Sequence, residues 1–232
     1  MRPYCGAVPT LFTRLMRMEI KEYDLIERVI RNLSHEIKNP LTTIKGYAQI
    51  LEMKSGDSEV SAKARRTIIE QINRLDALFR DLYEIFTIRS GEEEEVDISR
   101  LVGAILETMP KEIYARTELL TGTAPILSNT DRELCARFIT NILAGFDWEN
   151  NPGARLRIEI RNNGLEAPEI SIIFKNADFR ELQNTIFFLP FASKKHFKTG
   201  LELYEAYVIA FRLNWEFEMF VDETSSGFGI RL

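Results

Sequence analysis

Apolar residues recur early in the chain at steps of three and four. Ile26, Ile30, Leu33, Ile37, Leu41, Ile44, Ala48 and Leu51 share one helical face. A second stripe, Ala64, Ile68, Ile72, Leu75, Phe79, Leu82 and Phe86, follows a break at Ser55-Gly56-Asp57-Ser58. The pattern predicts a helix from about Met18 to Lys54, a second from about Val60 to Arg89, and an antiparallel hairpin between them. One hairpin cannot cover both stripes, so two copies packed into a four-helix bundle, a homodimer, are expected. The alternative cover is the chain's own C-terminal part.

The period changes after Gly91-Glu92-Glu93-Glu94-Glu95, which reads as a solvated acidic linker over residues 91–96. Ser99 to about Ala115 is expected to be helical, with short strands at Thr117–Leu120 and Pro125–Leu127. Thr130-Asp131-Arg132-Glu133 spells a capping box for a helix running to Phe146. Alternating runs Leu156–Ile160 and Ile170–Phe174 flank an Asn163-Gly164 turn, the signature of a hairpin. A helix over Gly200–Leu213 precedes strands at Trp215–Val221 and Gly227–Leu232. Helices gathered on one face of a mixed sheet make the fold class α+β. The expected organisation is a tail over 1–18, a helical hairpin over 19–90, the linker, and an α/β sandwich over 97–232.

Composition narrows the function. A net charge of −5, with no basic block, argues against nucleic-acid binding. Cys5 and Cys135 form neither a disulfide framework nor a metal spacing, which suits the reducing cytoplasm. No apolar run approaches the roughly 18 residues of a membrane span, so no direct membrane insertion is expected.

Chemistry concentrates at Ser34-His35-Glu36-Ile37-Lys38-Asn39-Pro40-Leu41, which holds one of only two histidines. At about 100° per residue, His35 lies roughly 200° from Leu33 and points to solvent, with Asn39 one turn on. An exposed imidazole is available as a nucleophile near neutral pH. Pro40 removes a backbone donor and crowds the carbonyl of Glu36. The plain alternative is a surface histidine without a role.

This segment resembles the phosphoacceptor box of two-component sensor histidine kinases, His-Glu-aliphatic-basic-(Thr/Asn)-Pro-Leu, at every position. The resemblance implies His35 as phosphoacceptor, Glu36 orienting or deprotonating its ring, and Asn39 beside it, where the family often supports receiver dephosphorylation. Lys38, Pro40 and Thr42 are then the residues that contact the receiver or position the phosphoryl group. It further implies a response-regulator receiver domain as partner. With about 30 residues ahead of His35, any input signal is expected to come from a partner, or the protein is not a sensor at all; a relic box that no longer transfers phosphate is a further alternative.

Residues 97–232 resemble, more weakly, the Bergerat-type ATP-binding domain shared by histidine kinases and Hsp90-like ATPases. Asp131–Leu143 is similar to the approach to the asparagine box, Ile186–Phe191 to the phenylalanine box, and Thr199–Leu203 to the second glycine box. The departures matter more. Gly145 stands where the family has a magnesium-binding asparagine, and Lys175-Asn176-Ala177-Asp178-Phe179 stands for Asp-x-Gly-x-Gly. Lys175 replaces the adenine-reading aspartate, Phe179 fills space that glycine leaves open, and Glu202 sets a carboxylate near the phosphates. ATP and Mg²⁺ binding are therefore expected to be lost, with no cofactor of the chain's own and Mg²⁺ supplied by the receiver. His196 falls in the family's ATP-lid region and is expected in a solvated loop; the aromatic set Phe187, Phe188, Phe191, Phe211, Trp215, Phe217 and Phe220 is expected in core and sheet.

The expected function is histidine phosphotransfer between His35 and a receiver aspartate without ATP-dependent autophosphorylation, the second domain serving for docking. The alternatives are a non-enzymatic regulator that binds a receiver or a kinase, and an active kinase with a divergent ATP site. The particular receiver and the direction of phosphate flow are not legible in the sequence.

Overall fold

A computed structural model describes residues 11–53, 58–162, 167–183, 188–222 and 225–232, with side chains of the first helix described from Glu27 onward. The start of the expected tail, Met1–Thr10, lies outside the described residues. So do the Ser55-Gly56-Asp57 break, the Asn163-Gly164 turn, Phe187 and the Ile26 side chain. The chain divides into two compact units, Met1–Leu75 and Asp76–Leu232.

The first unit holds helix α1, Leu11–Met53, which starts earlier than Met18, and most of helix α2, Ser58–Phe86. Pro40 lies inside α1 and is buried, while Ala64 of α2 is fully buried. Members of both stripes remain uncovered: Ile30 is 56% exposed, Leu41 48% and Ile72 44%. A single chain thus leaves large apolar surface on the hairpin in water.

The second unit is an α/β sandwich. After the end of α2 come β1 (Glu94–Asp97), α3 (Ile98–Thr108), α4 (Lys111–Tyr114), β2 (Thr117–Thr121), β3 (Leu127–Thr130) and α5 (Arg132–Gly145). Then follow β4 (Arg155–Arg161), β5 (Glu169–Lys175), α6 (Arg180–Gln183), α7 (Glu202–Arg212), β6 (Glu216–Val221) and β7 (Ser225–Arg231). The main sheet has the order β2-β4-β5-β7-β6, parallel at β2–β4 and antiparallel elsewhere, and β1 pairs with β3 in a separate ribbon. Leu156, Ile158, Ile160, Ile170, Ile172, Phe174, Phe228 and Ile230 form the buried face of the sheet. Against it lie Leu101, Val102 and Ile105 of α3, Phe138, Ile139 and Ile142 of α5, and Leu203, Ala206 and Ile209 of α7. Ring contacts of Phe138 with Trp215 (5.5 Å) and Phe217 (5.2 Å) close this layer.

Several sequence expectations change. The acidic run is not wholly linker: Glu94–Asp97 is strand β1, anchored by Val96 at 1% exposure while its glutamates stay in water. The long helix expected over Ser99–Ala115 splits at Met109-Pro110, where proline is barred from a helix interior. The cap of α5 is Asp131, whose Oδ1 accepts from the Leu134 N–H at 2.9 Å. Thr130, expected to open the capping box, ends strand β3, and its buried hydroxyl has no hydrogen-bond partner. Phe211 is 71% exposed rather than core. Cys135 is a small core residue as its apolar context suggests, its thiol pushed up to about 12 by burial and then by the Asp131 charge.

Candidate functional site

The histidine box lies within the unbroken α1. His35, Lys38, Asn39 and Thr42 are exposed on it, Glu36 is half-buried, and Pro40 turns inward. Proline takes away the donor that would have satisfied the Glu36 carbonyl, and the turn beyond is reinforced by side chains. Thr42 Oγ1 donates to the Lys38 carbonyl at 2.8 Å, and Thr43 Oγ1 donates to the Asn39 carbonyl at 3.2 Å. The result is an imidazole on a stiff helical face with a cationic side chain and an amide on the same exposed side. Such a face can present a nucleophile to a phosphoryl group carried by another molecule, while Thr42 already spends its hydroxyl hydrogen on its own helix.

In the second unit, the region expected to hold a nucleotide is packed with aromatic rings. Phe179 is fully buried, with ring centroids 5.6 Å from Phe174, 6.1 Å from Phe146 and 5.8 Å from Phe228. Its backbone N–H donates to Ser226 Oγ at 3.1 Å, and that hydroxyl donates to the Ala177 carbonyl at 3.1 Å, fixing the ring. The segment Ser193–Lys198 closes over the cluster. Phe146 and Phe197 form a β-bridge, Asp147 N–H donates to the His196 carbonyl, and Lys198 N–H donates to the Gly145 carbonyl, both at 2.9 Å.

Gly145 and Glu202 are fitted to one another. A Cβ on Gly145 would lie 2.6 Å from Glu202 Cγ and 2.8 Å from Glu202 Cβ. The Glu202 carboxylate accepts from the Thr199 N–H at 2.9 Å and the Gly200 N–H at 2.8 Å, just ahead of α7. Backbone donors at a helix start attract anions, and here the helix's own first residue supplies one. Gly200 is required by its φ of +80° and by the Phe191 Cα that a Cβ would meet at 2.8 Å.

Two sequence readings need correction. His196 is not solvated: it is 8% exposed, its ring sits 5.1 Å from Phe179, and its Nε2 has no hydrogen-bond partner. Burial, and then the neighbouring Lys195 charge, hold its pKa below the usual histidine value, against the pull of Glu181 and Asp178. The apolar neighbours Phe179 and Phe197 outweigh the lysines that suggested a wet loop. Lys175, expected to face an adenine, is half-exposed in the alternating pattern of β5, on the side opposite the buried Phe174. The strand's period of two sends consecutive side chains to opposite faces. Sequence reasoning missed the locking role of Ser226, for which a lone serine gave no signal. Among the described residues no group of three His, Cys, Asp or Glu is placed to hold a metal.

Comparison with known proteins bears on both units. Residues 25–91 match the His Kinase A (phospho-acceptor) domain. The signal transduction histidine-protein kinase AtoS of Escherichia coli (strain K12) is 27% identical over 179 residues, 75% of this chain and 29% of that protein. The histidine protein kinase SaeS of Staphylococcus aureus (strain MW2) is 30% identical over 186 residues, 74% of this chain and 52% of that protein. The chain thus spans about half or less of the length of these relatives. Among solved structures, histidine kinase ThkA in complex with the response regulator protein TrrA superposes with a TM-score of 0.64 at 17% identity, covering 98% of this chain and 67% of that one. The Acinetobacter baumannii histidine kinase AdeS gives 0.56 at 18% identity, covering 85% of this chain and 96% of that one. A helical hairpin followed by an α+β domain is therefore the fold of histidine kinases, and the sequence likeness points to two-component signalling. No helix among the described residues is long and apolar enough to cross a membrane.

Proposed function

We propose that this chain is a phosphorelay protein that exchanges a phosphoryl group between His35 and a receiver aspartate, and does not phosphorylate itself from ATP. An imidazole nitrogen of His35 attacks the phosphorus of the receiver's phosphoaspartate in line. The aspartate carboxylate leaves, and the ring proton passes to Glu36 or to water. Lys38 and Asn39 meet the incoming phosphoryl oxygens, and the receiver brings its own Mg²⁺; the chain itself works without nucleotide or metal, in the cytoplasm, as a homodimer through the uncovered hairpin stripes. Phosphoryl transfer needs mainly alignment and charge compensation, which an exposed helical face can supply to a partner that carries the metal.

The observation that carries this reading is the pairing of a complete histidine box with an occupied cleft. Fully buried Phe179 stands where the resemblance puts a glycine of the nucleotide site, and the Glu202 carboxylate holds the backbone donors ahead of α7. A nucleotide would have to displace both. The decisive experiment incubates the purified chain with a phosphorylated receiver or with Mg-ATP. Acid-labile, alkali-stable label from the receiver alone, lost in His35→Gln, is the expected result. Label from ATP would replace this reading with that of an active kinase, which the likeness to histidine kinases over three quarters of the chain favours. Receiver binding without any label would leave a non-enzymatic regulator.

A further inference from the structure

On the side of the main sheet away from the helices, charges are arranged in rungs. Arg157 pairs with Glu118 at 2.8 Å and reaches Glu159 at 3.7 Å, Arg161 pairs with Glu159, and Arg231 pairs with Glu216. One rung differs. Arg155 opens β4 and Lys175 closes β5, and the register sets them directly opposite each other. Neither has an ion-pair partner among the described residues, although every other basic residue of the strands has one. Like charges facing each other across an antiparallel pair destabilise a sheet. An uncompensated rung in a chain of net charge −5 asks for an external anion.

The surroundings are built to receive one. Two adjoining cavities share Arg155 and Lys175 in their walls: one of about 400 Å³ also lined by Arg116 and Leu156, the other of about 420 Å³ also lined by Gly153, Asn176 and Ser225. Arg116 is preset, its Nε donating to the Glu112 carbonyl at 3.0 Å and its Nη1 to the Pro152 carbonyl at 2.8 Å, with its guanidinium 5.7 Å from the Trp148 ring. Asn176 is held with φ 60° and donates to the Gly153 carbonyl at 3.3 Å. The one carboxylate in the wall, Glu118, is already engaged by Arg157.

We propose that Arg155, Lys175 and Arg116 form a binding site for a small ligand bearing a phosphate dianion, on the face of the second unit's main sheet away from its helices. Arg155 offers a planar fork for two phosphate oxygens and Lys175 a point charge beside it. The cavity volume leaves room for an organic body beyond the phosphate, so inorganic phosphate and a phosphate monoester share the required chemistry.

The test titrates the full chain with inorganic phosphate and, separately, with phenyl phosphate, by calorimetry at constant ionic strength held with sodium perchlorate. Saturable binding is expected, weakened about tenfold or more in Arg155→Gln and in Lys175→Gln. Tighter binding of phenyl phosphate assigns the site to an organic phosphate; equal binding assigns it to the free ion. Lys175→Gln should also raise the melting temperature in ligand-free buffer, because the facing charge is gone, and phosphate should raise that of the parent chain more than that of the variant. No saturation by either probe up to roughly 10 mM, ten times a millimolar dissociation constant, overturns the proposal. So does an affinity that both variants share unchanged with the parent chain. An acidic peptide that outcompetes both phosphates would replace a small-ligand site with a protein-docking one.

Discussion

The fit between Gly145 and Glu202 makes a prediction with a change of sign. In the parent chain, Gly145→Ala places a Cβ 2.6 Å from Glu202 Cγ and 2.8 Å from Glu202 Cβ. A rotamer change can move Cγ, but Cβ is fixed by the backbone of α7. Overpacking of this kind costs about 1–3 kcal/mol. In a Glu202→Gly background both atoms are gone, and alanine at the end of α5 should be neutral or stabilising by up to about 1 kcal/mol, since it is the better helix former. The coupling energy in this double-mutant cycle is therefore expected near 2 kcal/mol, inside the usual range for residues in contact. Glu202→Gly alone should cost about 1–2 kcal/mol, from a helix-start charge and a glycine in the first turn. Urea unfolding followed by tryptophan fluorescence suits the measurement, because Trp148 and Trp215, both buried, are the only tryptophans and both lie in the second unit. If Gly145→Ala shifts the free energy equally in both backgrounds, to within about 0.5 kcal/mol, the steric reasoning fails.

Other outcomes follow from the same geometry. Phe179→Ala should cost about 3–5 kcal/mol in chemical denaturation, as for other fully buried phenylalanines, and a loss below 1 kcal/mol would mean the ring is not part of the core. His196 carries a pKa depressed mainly by burial, so the unfolded chain binds the extra proton first. The stability it contributes should be complete above the ordinary histidine pKa and fall as pH drops through that value toward the depressed one. His196→Phe should flatten the melting temperature between about pH 7 and 5, a window above that of the Asp178 and Glu181 carboxylates beside it. Ile72→Glu should halve the mass seen by light scattering while circular dichroism keeps its helical signal; a parent chain that is already monomeric at micromolar concentration would refute the dimer. His35→Gln should keep the melting temperature within a degree or two, because the ring is exposed, and abolish labelling from a receiver.

The hairpin and the sheet order were legible because their signals are periodic. Ile30 to Leu51 repeats at helical spacing, and Leu156–Ile160 with Ile170–Phe174 alternates cleanly. The histidine was legible because exposure follows from its angle to Leu33. What escaped depends on contacts between distant segments. Nothing local tells that His196 will be shielded by Phe179, or that the acidic run will donate a strand held by Val96. The Lys175 error was avoidable: counting the alternation from buried Phe174 already turns the lysine to the other face. The Arg155–Lys175 rung was also within reach, because pairing the two runs end to end, Leu156 with Phe174 and Ile160 with Ile170, sets these residues against each other.

The Glu202 carboxylate on the Thr199 and Gly200 donors has a consequence for how the second unit responds to its surroundings. A ligand that is part of the chain has no dissociation constant, only an effective concentration fixed by the covalent path to its site. Occupancy is then settled once, at folding, and stays the same whether small anions outside are scarce or abundant. Donors filled in this way do not answer to free anions, so any small ligand that acts on the second unit has to bind elsewhere on its surface.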